Sequence, residues 1–313
     1  MWGIRQLSYE QLMQHAQEIR QKAIQKAIEH LGGRRNSREY MSQKRPEIER
    51  TFADIPELFQ PFAEMPTPVS FDPMINEMRQ TLGVLSSGQE IKDPIDGTIY
   101  PANIILDKLS GSESYIEDWT GRAAMAFKSG FVDPFPSIAR NQFIIAAVLK
   151  SAMEANKEMW ATTRGDIDQI AHKTIEALDR MDDCGKNEWT ITFTVVASIA
   201  AVAAVPVTAG GSTALAITAI GAASQVAAAV GPDDPPSNPF SGESPESVVS
   251  QMRQAIHNLT QEIGNVERKI SGSLQKTHEL LSTNRPLFVS RRPELASATA
   301  RTIRSPEEMG YST

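Results

Sequence analysis

The chain has 313 residues, 41% hydrophobic and 22% charged, with a formal net charge of −7. That length suits one large or two modest domains, and the acidic balance excludes a nucleic-acid binder, whose affinity depends on neutralising phosphates. The single cysteine, Cys184, excludes an intrachain disulfide and a thiolate metal cluster.

The N-terminus is amphipathic and charged, with no basic segment ahead of an apolar run, so no Sec or twin-arginine signal is expected. From Ser8 as N-cap, Leu12, Ala16, Ile19, Ala23, Ala27 and Leu31 recur at three- and four-residue spacing. They predict a helix packed on one side and stopped at Gly32-Gly33. The rest of 1–70 is polar and proline-bearing. Pro56, Pro61, Pro66 and Pro68 would each interrupt a longer helix, so short helical turns and extended connector are expected there.

Residues 71–188 read as one helical-hairpin domain. Asp72 caps a helix with Pro73 in its first turn, ending near Ser86–Gly88. A turn-rich KDPIDG bridge leads to a helix from Pro101 to about Leu109. Trp119-Thr120-Gly121 then stands between two helix-compatible segments, where a glycine after a bulky aromatic suits a tight turn. After Asp133-Pro134-Phe135-Pro136, a proline-free helix runs from Ser137 to about Asp183. Ile145, Leu149, Met153, Trp160, Ile167, Ile170, Ala171, Ile175, Leu178 and Met181 mark its expected buried face.

No charged side chain occurs from Ile191 to Val230. Pro206 and Gly210-Gly211 punctuate this stretch, leaving arms Ile191–Val207 and Thr213–Val230. As helices the arms would each be roughly 26 Å long, a little under the ~30 Å of a hydrocarbon core. Small residues four apart, Ala197/Ala201, Ala200/Ala204 and Ala214/Thr218/Ala222, suit close helix pairing. The expectation over 189–231 is therefore an Ala/Gly-rich helical hairpin, which either contacts membrane or is buried by protein.

Residues 232–247 read as a proline-rich flexible linker. A helix over 248–283 carries the heptad seam Val249, Met252, Ile256, Leu259, Ile263, Val266 and Ile270, suited to the long helix or to a second chain in a homo-oligomer. Polar Ser273 and Thr277 then predict a stutter in that seam, and 284–313 a flexible tail. With no convincing strand alternation, the fold class is all-α: an elongated helical hairpin or bundle with the hydrophobic hairpin and the C-terminal heptad helix.

Catalytic, cofactor and metal motifs are missing from the sequence. The five histidines form no HExxH and no His pair four apart, and each is expected on a solvated helix surface. Gly210-Gly211 is not followed by a phosphate-loop lysine, and no GxSxG elbow occurs. Asp182 and Asp183 beside Cys184 would raise a thiol pKa rather than activate it. The expectation is a non-enzymatic protein without cofactor.

Trp119-Thr120-Gly121, set in DWTGRAAMAF between helices in a chain with a small-residue-rich apolar region, resembles the WXG superfamily, the helical-hairpin substrates of type VII secretion. By layout the resemblance covers about residues 70–183, and extends to about 231 with the apolar region. It implies that Trp119 and Gly121 form the helix turn. It also implies export as a folded helical pair, with a protein partner or chaperone, to the envelope or outside the cell; a cytoplasmic location is the alternative. The family's export signal is a tyrosine followed four residues later by an acid. Here Tyr40 meets Lys44 and Tyr115 meets Trp119, leaving His172 with Glu176 as the nearest candidate; co-export would remove the need. The function so implied is a non-enzymatic type VII substrate or associated protein that inserts into membrane or oligomerises through its hairpin. The alternatives are a cytosolic or phage-type structural homo-oligomer and a pore-forming toxin.

Overall fold

The computed structural model describes residues 9–32, 38–86, 91–110, 118, 122–181, 189–192, 199–208, 214–222, 237–240, 244–290 and 299. Helix dominates them, and the class is an all-α helical bundle. They fall into two compact units. The first holds residues 1–70, 156–199 and 227–268, and the second holds 71–155, 200–226 and 269–313.

In the first unit, α1 (Tyr9–Gly32) buries Leu12, Ala16, Ile19, Ala23 and Ala27, the stripe its periodicity marks. The expected short helical turns are two full helices, α2 (Arg38–Thr51) and α3 (Ile55–Ala63), with Pro46 inside α2 and Pro61 inside α3. An interior proline costs a helix about 3 kcal/mol. Ile55, Phe59 and Phe62 are buried on α3, and at ~1.5–3 kcal/mol apiece their burial outweighs that cost. Pro56 sits harmlessly in the first turn. α1 packs against α2 and α3, and Arg253 clamps the α2–α3 corner, donating to both oxygens of Asp54 and to the Thr51 carbonyl.

The second unit opens with α4 (Asp72–Leu85), whose cap is Phe71 rather than Asp72. The KDPIDG bridge forms a small antiparallel ribbon, β1 (Ile91–Lys92) against β2 (Ile99–Tyr100), pairing Ile91 with Tyr100 and Lys92 with Ile99. Gly97, at φ 77°, lies in the left-handed region this tight turn requires. Asn103 caps α5 (Ile104–Ser110), its side-chain oxygen accepting from the Ile105 N–H at 3.0 Å. After α6 (Arg122–Phe127) and a π-helical turn, Lys128–Val132, the chain enters α7 (Phe135–Asp179).

α7 runs through both units. In the first unit it buries Ile167, Ile170, Ala171 and Leu178 as expected. In the second unit the buried face is rotated from the expected one. Phe143, Ile144, Ala147, Val148 and Lys150 are inside, whereas Leu149 is 38% exposed and Ile145 only half-buried. Phe143, Ile144, Ala147 and Val148 form an apolar stripe of their own, and Lys150, a charged residue that periodicity alone would place in solvent, lies on the same side. Leu82, Ile95, Tyr100, Phe143 and Phe288 share this core, with the Tyr100 and Phe143 rings edge-on at 5.6 Å.

Among its described residues the hydrophobic hairpin is not helical. β4 (Ile199–Thr208) and β5 (Ala214–Ala222) form a two-stranded sheet. Inside the expected flexible linker, β6 (Ser237–Phe240) pairs antiparallel with β3 (Trp189–Thr192), matching Trp189 with Phe240 and Thr192 with Ser237. β-Branched Ile199, Val202, Val205, Val207, Ile217, Thr218 and Ile220 favour strand. Pro206 and Pro239 are tolerated because both strands of a two-stranded ladder are edges. An apolar run without alternation does not tell buried strand from helix.

α8 (Pro245–Thr283) starts earlier than expected and also runs through both units. Val249, Met252, Ile256, Leu259, Val266 and Ile270 are buried and Ile263 is half-buried. The stutter does not occur. Ser273 and Thr277 are buried on the continuing three-four spacing, and the Thr277 hydroxyl donates to the Ser273 carbonyl at 2.9 Å, which satisfies it inside the helix. Nor is the chain a loose tail from residue 284. A 3₁₀ turn, Arg285–Leu287, leads to buried Phe288, with Asn141 donating to the Leu287 carbonyl and Gln142 to that of Phe288.

Candidate functional site

The apolar insertion is the most unusual stretch of the chain. Its strands β4 and β5 have 10 and 9 residues. Of the small residues singled out in sequence, Ala201 and Ala204 lie in β4 and Ala214, Thr218 and Ala222 in β5. Ala197, Gly210 and Gly211 lie outside the described residues. Among the described residues no helix is long and apolar enough to cross a membrane.

Trp119 and Gly121 lie outside the described residues, and α6 begins at the next position, Arg122. His172 and Glu176 share α7 but do not pair. Glu176 meets Lys173 and Arg180, whereas His172 turns to Asp168 and to His15 of α1.

Sequence reading did not assemble that second group. His172 Nδ1 lies 2.8 Å from Asp168 Oδ1 and 3.0 Å from the Asp168 carbonyl oxygen, His15 Nδ1 is 3.9 Å from the same carboxylate oxygen, and the two imidazoles meet edge-on at 4.6 Å. One ligand atom from each residue falls within 4.8 Å of the others. Burial pushes the Asp168 carboxyl above its ordinary value, and the two histidines pull it back only in part. Asp168 and His172, four apart, necessarily share a helix face, which was the one readable signal. His15 comes from a different helix, and only the packing of α1 on α7 brings it in.

A second polar group holds the Asp93–Thr98 turn to α7. The Lys150 ammonium, fully buried, donates to Asp93 Oδ2 at 2.7 Å and to Asp96 Oδ2. Asp93 Oδ1 accepts from the Ile95 N–H at 2.8 Å, and Asp96 Oδ1 from the Thr98 N–H at 2.7 Å. Burial works against both charges, yet the ion pairs win: Lys150 titrates above its ordinary value and Asp96 below. One ammonium is shared by two carboxylates, each of which also accepts a backbone N–H, and the group is a structural clamp.

Comparison with known protein families, curated proteins and solved structures found no match.

Proposed function

We propose that this is a non-enzymatic membrane-inserting protein whose β4–β5 hairpin enters a bilayer when several copies assemble. The observation that carries the reading is a two-stranded apolar sheet with strands of 10 and 9 residues, inside a forty-residue stretch without charge. A tilted strand of ~9–11 residues crosses a hydrocarbon core. A lone hairpin cannot stay there, because its outer backbone N–H and C=O groups have no partner in lipid. Closure with hairpins from other copies of the chain removes those edges. Oligomerisation is therefore part of the mechanism, and the helical bundle is the soluble carrier. The experiment is vesicle flotation and dye release with the full chain and with Ile217→Lys. A lysine near the bilayer midplane costs a barrel ~2–4 kcal/mol, so release by the variant should fall roughly thirtyfold or more. Absence of wild-type flotation at neutral and acid pH would dismiss the reading in favour of a structural homo-oligomer.

Type VII export is the second reading, supported by Trp119-Thr120-Gly121 and by α6 starting directly after that glycine. It concerns the route rather than the action, and a partner-dependent export assay with Trp119→Ala tests it.

A further inference from the structure

We propose that His15, Asp168 and His172 form a binding site for one divalent transition-metal ion of the zinc class, cross-linking α1 to α7. Two imidazoles and a carboxylate are a donor set for such an ion, with solvent supplying the open position. An ion held ~2.1 Å from tetrahedral ligands requires ligand atoms about 3.4 Å apart. The observed separations of 2.8 and 3.9 Å from Asp168 Oδ1 bracket that value, so small side-chain rotations close the site.

The present contacts leave the group unsatisfied. His15 Nδ1 and Asp168 Oδ1 are buried atoms without a hydrogen-bond partner among the described residues. Arg164, one turn before Asp168 on α7, donates instead to the Met65 carbonyl at 3.1 Å and brings no compensating hydrogen bond. A cation would supply the charge that the half-buried carboxylate lacks. The His172 side chain is 58% exposed, which leaves an open approach for the ion and room for a water ligand. The site stands independently of membrane insertion: it uses residues of the helical body only.

The test is titration of Zn²⁺ into the full chain, previously stripped with chelator, followed by calorimetry, with Co²⁺ as the spectroscopic substitute. One equivalent should bind and Co²⁺ should develop the visible bands of a tetrahedral nitrogen–oxygen site. His172→Gln and Asp168→Asn should each weaken binding by at least about tenfold, whereas His278→Gln on α8 should leave it unchanged. Because His172 is exposed, its variant is expected to fold, which circular dichroism verifies. Failure of the wild-type chain to bind Zn²⁺, or binding by His172→Gln equal to wild type, would overturn the site.

Discussion

Along α7 two groups each gather three titratable side chains: Asp93, Asp96 and Lys150 in the second unit, and His15, Asp168 and His172 in the first. Both contain carboxylates that burial opposes, yet the outcomes differ. Asp96 ends below its ordinary value because an ammonium and a backbone N–H reach its oxygens; Asp168 ends above because its neighbours are imidazoles that do not saturate it. Desolvation is common to the two, and what separates them is whether both carboxylate oxygens are reached by donors. A saturated group fixes structure, and an unsaturated one has capacity left to bind.

The largest effect that sharpens this contrast should come from Lys150→Met. It strands Asp93 and Asp96 without a counter-charge, and breaking a buried pair in this way costs about 3–5 kcal/mol. Thermal or denaturant unfolding should show that loss. Adding Asp93→Asn and Asp96→Asn to the lysine variant should recover much of it, since the stranded charges are then gone. A Lys150→Met chain of wild-type stability would break the comparison at its stronger end.

The pH dependence follows from the same pair. Asp96 is held below its ordinary 3.8, so its contribution is present above that value and is lost as pH falls through the still lower folded value. Lys150 is raised above its ordinary 10.5, so its contribution is complete below 10.5 and is lost as pH climbs through the folded value. Melting temperature across pH should therefore fall at both strongly acid and strongly alkaline ends. The charge-free triple variant should show a flatter profile at both ends; identical profiles would remove the clamp from the account.

Much of the helical body was legible because its apolar residues repeat at helical spacing. α1 and the α8 seam appear where Leu12–Ala27 and Val249–Ile270 place them. Reading failed where a rule was outweighed by something local. Aromatic burial overrode Pro61 in α3; the hydroxyl of Thr277 found its own carbonyl, so a polar residue continued the seam. A lysine, paired with two aspartates far away in sequence, sits in the core on a face of α7 that apolar spacing alone did not single out. The apolar insertion was recognised as a feature but assigned the wrong conformation, because length and lack of charge are shared by buried helices and strands, and the β-branched residues decided between them. The candidate site was half legible: Asp168 and His172 follow from helix spacing, while His15 depends on how α1 docks.

The smallest expected effect lies at the other end of the contrast. In metal-stripped protein, His172→Gln removes the exposed member of a helical pair four residues apart, and such pairs contribute only about 0.3–0.5 kcal/mol. Unfolding of that variant should match wild type within about 0.5 kcal/mol, an order of magnitude less than Lys150→Met. With Zn²⁺ present the two chains should separate, because binding to the folded state alone stabilises the wild type in proportion to the logarithm of ion concentration over its dissociation constant. If the stripped variant instead lost ~2 kcal/mol or more, the imidazole would already be acting as a clamp. The two groups on α7 would then differ in degree of burial alone.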